Sequence, residues 1–172
     1  FGDKVTMGGR DFVVVYSRVE ITNRGTAAVD ADPAPAAPPG LVALTQTPTS
    51  VPPGQTVRHD YAIVVDRFGA NVERPGATEL AAAGTWDDHY AHMEQYWNAR
   101  LAQIIDIRTL PDRRLIDAYK AGFIYTHIVK DGINLNVGEN GYDLIASHDL
   151  IGIMNSLFVL GEGGFGGPHG PV

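Results

Sequence analysis

The sequence predicts an α+β protein, an antiparallel β-sandwich portion followed by helices, and three observations carry that prediction. The first eighty or so residues hold short runs rich in β-branched and aromatic side chains, separated by Pro/Gly turns. After Gly84 the apolar residues take up helical spacing. Between Pro111 and Gly161 two more helical patterns flank a Gly/Asn-rich loop. The expected organisation is a β-sandwich portion over 1–80, a linker helix over 81–108, and the start of a helical domain over 109–172 that ends in a Gly-rich tail.

The first strand is expected within Phe12 to Asn23, where Tyr16, Arg18 and Glu20 alternate with Ser17, Val19 and Ile21. Asn23-Arg24-Gly25 signals a turn. From Asp30 to Gly40 the prolines at 33, 35, 38 and 39 exclude strand and helix and predict an exposed extended loop. A further strand is expected at Leu41 to Thr45. Pro52-Pro53-Gly54 then turns the chain into a strand over Arg58 to Asp66, with His59, Tyr61, Ile63 and Val65 on one face. Four strands are too few to close a sandwich, which implies an incomplete chain.

Thr85 and Asp88 have the spacing of a capping box, with Asp in the usual Glu position. Behind them Trp86, Tyr90, Met93, Trp97, Leu101 and Ile104 form an aromatic stripe, which core packing explains better than sugar stacking. Pro111 suits a first helical position, and Leu115, Ile116, Tyr119, Phe123 and Thr126 continue that helix towards a stop at Gly132. The last helix takes Ser147 as N-cap, carries Leu150, Ile153, Met154, Leu157 and Leu160 inward, and closes at Gly161. From Gly161 to Val172 six glycines and two prolines predict a mobile tail, or a passage into further sequence.

The start of that last helix is the candidate site. His148 and Asp149 fall in its first turn, where unpaired N–H groups and the positive end of the dipole stabilise an ionised carboxylate. Asp149 is therefore expected to stay charged and to accept hydrogen bonds. An acidic residue that only completes a helix start satisfies the same pattern.

Composition removes several function classes. A net charge of −7 and the lack of a Lys/Arg cluster beyond Arg113-Arg114 argue against nucleic acid as a partner. With no cysteine there is no disulfide framework, thiolate zinc site or cysteine nucleophile. No apolar run approaches the roughly 20 residues of a membrane span, so no membrane partner is expected. The chain starts at Phe1 with no recognisable signal segment, which predicts a processed, trimmed or partial product.

A β domain, a long helix containing Tyr96-Trp97, Leu110-Pro111-Asp112 opening the next helix, and a loop reaching Tyr142 and Asp149 together resemble the entry into the six-hairpin glycosidases. That superfamily, which includes glucoamylase-like enzymes, places a β-sandwich and a linker helix before an (α/α)6 toroid. The resemblance covers residues 85 to 161, and the β half by class alone. It implies an amino-terminal portion of a larger glycoside hydrolase acting on non-reducing-end sugars. Glucoamylase-like members bring an Arg-Asp pair to the glycone sugar, and this chain has His148-Asp149. By the resemblance, Asp149 accepts from two vicinal hydroxyls, His148 donates to a third and Tyr142 flanks the ring. Hydrolysis needs two carboxyl groups, roughly 6.5 to 9.5 Å apart in inverting enzymes. In this superfamily later hairpins supply them, so the chain is expected to hold no catalytic residue of its own. Its implied partners are the carbohydrate substrate and the remainder of the parent polypeptide or a companion chain. No cofactor and no metal are implied.

Other constellations are weaker. Glu139 and Asp143 in the Gly/Asn loop read as solvent-exposed turn residues. His89 and His92, three apart with Asp88 nearby, lack a clear third metal ligand and read as a surface helix. The Gly-rich run after Gly161 lacks the Lys-Ser/Thr of a phosphate loop and follows a helix. The competing function class is a non-catalytic β-sandwich module that binds a glycan or a protein partner.

Overall fold

In the structure, a computed structural model, residues 1–31, 38–45, 50–65, 73–131, 134–136 and 147–162 are described, with only the backbone at 131, 134 and 147. They form a mixed α+β chain with antiparallel sheets and four helices. The chain divides into two compact units, Phe1–Gln95 and Tyr96–Val172, and the division falls inside the helix that the sequence reading treats as a linker.

The first unit is built on strands β1 (Gly2–Met7), β2 (Arg10–Thr22), β3 (Val29–Asp30), β4 (Val42–Ala43), β5 (Ser50–Val51) and β6 (Thr56–Val65). Four of them make an antiparallel sheet in the order β1-β2-β6-β4, and β3 pairs with β5 as a separate ribbon. β1 escapes the sequence reading. Gly8 and Gly9, both at positive φ, turn β1 tightly into β2, with Met7 opposite Arg10.

The register places Val14 opposite Val64 and Tyr16 opposite Ala62. These four residues, with Val5 and Met7, form the buried core of the unit together with Leu80 of helix α1 (Ala77–Ala82). The covered face is thus the one carrying Ala62 and Val64. Val65, which alternates to the other face, is exposed together with Val13 and Val15. The expected turn at Asn23 is present and has a buried hub. The Asn23 side chain accepts from the Gly25 N–H (2.8 Å) and donates to the carbonyls of Ala27 and Val51 (2.8 Å each). Of the Pro-rich loop, residues 32–37 lie outside the described residues.

Helix α2 (Trp86–Leu101) starts where the capping box predicts. The Asp88 N–H donates to the Thr85 hydroxyl (3.2 Å), and the Asp88 carboxylate accepts from the Thr85 N–H (2.9 Å) and hydroxyl (2.7 Å). Those hydrogen bonds hold the Asp88 carboxyl below its ordinary pKa. Arg18 ties the start of α2 to the sheet. Its guanidinium donates to both oxygens of Asp60 (2.7 and 2.9 Å) and of Asp87 (2.8 and 3.1 Å), and it stacks 3.9 Å from the centre of the Trp86 ring.

The second unit contains the end of α2, α3 (Arg113–Ile128), a ribbon of β7 (Lys130–Asp131) with β8 (Asn134–Leu135), and α4 (Ser147–Val159). Its core is Ile104, Phe123, Leu135 and Leu157, with Leu101, Tyr119, Leu150, Ile153, Met154 and Leu160 packed around them. The start of α3 differs from expectation. Pro111 lies outside the helix, and Asp112, extended at φ −122°, is the N-cap whose side chain accepts from the Arg114 N–H (3.0 Å). A side-chain acceptor for an orphan N–H outweighs the fixed angle of proline. α3 also ends at Ile128, short of the expected stop at Gly132, which lies outside the described residues. α4 closes as expected. Gly161 takes φ 89°, its N–H donates to Phe158 O, and the Glu162 N–H donates to Leu157 O, the paired bonds of a Schellman stop.

Near the end of α3, the His127 Nδ1 lies 3.0 Å from the Phe123 carbonyl and donates to it. Burial, more than any neighbour, holds the His127 imidazole below its ordinary pKa of 6.5. Above that value histidine is neutral folded or unfolded and the packing is fully retained. As pH falls through it, the unfolded chain binds a proton that the native one refuses, and stability drops until the lower folded value is reached. The urea midpoint of the second unit, followed by Trp97 fluorescence in a Trp86→Phe background, is expected to fall between pH ~7.5 and ~5.5, bracketing 6.5. His127→Gln should shrink that fall, and an equal fall in the variant would exclude His127 as its source.

Candidate functional site

α3 and α4 border an open groove of about 470 Å³. Its floor is small and apolar because Gly122 on α3 and Gly152 on α4 both line it, and a Cβ built at either would meet nothing within 4 Å. Phe123, Ile153 and Leu157 close it from below through the core of the unit. Thr126 and Ser156 line it too, but their hydroxyls donate back to Gly122 O and Gly152 O (2.9 Å each). The Tyr119 hydroxyl is likewise engaged, donating to Ile105 O at 3.0 Å.

One carboxylate remains among the described lining residues, that of Asp149. It is exposed in the first turn of α4 and has no hydrogen-bond or ion-pair partner among the described residues. The start of a helix and its dipole favour a charge there, and among the described residues no donor competes for it. The site can therefore accept hydrogen bonds from a hydroxyl-bearing ligand whose apolar face lies on the glycine floor. A second carboxylate, which acid/base cleavage requires, is missing from the described lining of this groove.

Of the sequence-derived residues, Asp149 lines the groove, and His148 is exposed beside it without lining it. Tyr142 lies outside the described residues, as do Glu139, Asp143 and the tail beyond Glu162. Ser147 begins α4 itself.

A second constellation, in the first unit, was not legible from helix spacing. His89 and His92 converge on Asp3 and not on Asp88. Their Nδ1 atoms lie 2.9 and 2.8 Å from the two oxygens of one Asp3 carboxylate, whose side chain is only 7% exposed. An ionised carboxylate only accepts, so both rings carry their proton on Nδ1. The expected surface helix is thus corrected for His89, which is buried and stacked on Tyr16 at 4.3 Å. Burial, with the nearby Asp3 charge, pushes the Tyr16 phenol up to about 12. The signal in the sequence was the alternation of β1. Val5 and Met7 define a buried face, so Asp3 falls on that face and needs a donor. Among the described residues no group of three or more His, Cys, Asp or Glu side chains is arranged to hold a metal ion.

Comparison with family profiles, with curated proteins and with solved structures found no match to this chain.

Proposed function

We propose that this chain is part of a carbohydrate-active enzyme, a glycoside hydrolase acting on non-reducing-end sugars, and that Asp149 belongs to its glycone subsite. The observation that carries this reading is the Asp149 carboxylate at a helix start, unpartnered among the described residues and lining a groove with Gly122 and Gly152. Vicinal hydroxyls are the donors such an acceptor suits, and a sugar ring has an apolar face for the floor. In this reading His148 donates to a further hydroxyl, Tyr142 flanks the ring, and the two units are the β-sandwich portion and first helices of an (α/α)6 toroid. Asp149 positions the sugar, and bond cleavage falls to carboxylates elsewhere in the parent enzyme.

In the enzyme that carries this segment, Asp149→Asn is expected to lower kcat/KM about 100-fold, because each hydrogen bond to a charged acceptor contributes roughly 1.5–3 kcal/mol. The melting temperature should fall only slightly, since no described residue pairs with Asp149 and the lost charge–dipole interaction is about 0.3–1 kcal/mol. Turnover equal to wild type would sink the assignment.

The competing reading, a non-catalytic module binding through its β half, draws on the exposed Val13, Val15 and Val65 on one face of the sheet. Binding of glycan or protein that survives Asp149→Asn and is lost on Val15→Lys would favour it.

A further inference from the structure

The first unit has a separate cleft of about 370 Å³, at the small end of the ~300–1,000 Å³ of small-ligand pockets. One wall is the end of the β1–β2 hairpin, with Met7, Arg10 and Phe12; the other is Glu73, Arg74 and Pro75 leading into α1, with Glu79. Both walls are fixed by local hydrogen bonding. The Gly8-Gly9 turn sets Met7 against Arg10, and the Glu79 carboxylate accepts from the Gly76 N–H at 2.9 Å.

Two guanidiniums and two carboxylates therefore ring one cleft, and none of the four is in an ion pair among the described residues. Elsewhere in the unit oppositely charged neighbours do pair, as Arg58 does with Glu20 and Lys4 with Asp11. Among the described lining residues two positive and two negative groups cancel, which gives no net attraction for an anion. What it offers is a set of forked donors facing acceptors, with Phe12 and Pro75 as apolar wall. A hydroxyl accepts from a guanidinium and donates to a carboxylate at once, which uses both kinds of group without a charge on the ligand.

We propose that this cleft binds a neutral, hydroxyl-rich ligand of mono- or disaccharide size, at a site separate from the Asp149 groove. The inference stands whether or not the Asp149 reading holds. It is tested on the ¹⁵N- and methyl-labelled chain titrated with maltose, glucose, inorganic phosphate and acetate, following the arginine Nε–H signals and the Met7 methyl. Saturable shifts of Arg10, Arg74 and Met7 with maltose or glucose are expected, unchanged by Asp149→Asn and weakened about tenfold in apparent Kd by Arg74→Ala. Both arginines are exposed, so an unchanged melting temperature confirms that the variants fold. Shifts with phosphate or acetate but not with sugar would overturn the proposal in favour of an anion site. Absence of saturable shifts with any probe would reduce the cleft to solvated surface, and loss of the sugar response in Asp149→Asn would assign that response to the groove.

Discussion

Arg18→Ala is expected to destabilise the first unit by about 3–5 kcal/mol, the cost of stripping one partner from a buried, hydrogen-bonded charge pair. The Arg18 and Asp60 side chains are 14% and 9% exposed, so the pair is largely withdrawn from water. The guanidinium also covers Trp86 and reaches Asp87, and the hydrogen bonds to Asp60 and then Asp87 hold its pKa above the ordinary arginine value. One side chain thus joins β2, β6 and the first turn of α2. Urea unfolding in a Trp97→Phe background, read by Trp86, measures the loss. Arg18→Lys retains the charge without the fork and should recover only part of it. A loss below about 1 kcal/mol for Arg18→Ala would place the pair with exposed salt bridges and defeat the argument.

Phe123→Ala is expected to cost the second unit about 3–5 kcal/mol, the range for removing a buried aromatic ring. Among the described residues four make that buried core, and Phe123 is 2% exposed within it, with its ring centre 4.2 Å from that of His127. Trp97 fluorescence in the Trp86→Phe background reports the change. A loss under about 1 kcal/mol would mean that the groove collapses onto the site and that its walls are not rigid.

The class of fold was legible because periodicity is a local property. The β2 and β6 patterns, the Thr85/Asp88 capping box and the Gly161 stop each depend on residues within one turn or strand, and each appears in the structure. β1 was missed because Gly2 to Met7 is short and polar on one side, and only pairing with β2 makes it a strand. The start of α3 was misplaced because proline and aspartate both signal a helix entry, and adjacency alone did not rank them. The placement of Asp149 in the first turn of a helix was legible from the apolar row behind it, although Ser147, expected as the N-cap, is the first residue of the helix itself. The groove was not, since it depends on residues of two separate helices, Gly122 and Gly152 among them, lining one space. Neither was the Asp3 cluster, whose members lie 86 and 89 residues apart.

That separation has a bearing on the order in which the chain assembles. Asp3 lies in β1, and its donors on α2 are made only after the last strand of that sheet. Until then β1 can close its hairpin with β2, a local event, while a carboxylate destined for the interior stays in water. Arrival of His89 and His92 then fastens β1 to the last helix of its unit. Until α1 and α2 are made, the face of the nascent sheet that carries Val14, Tyr16, Ala62 and Val64 is uncovered, so pausing of synthesis between Val65 and Trp86 should leave that face most exposed.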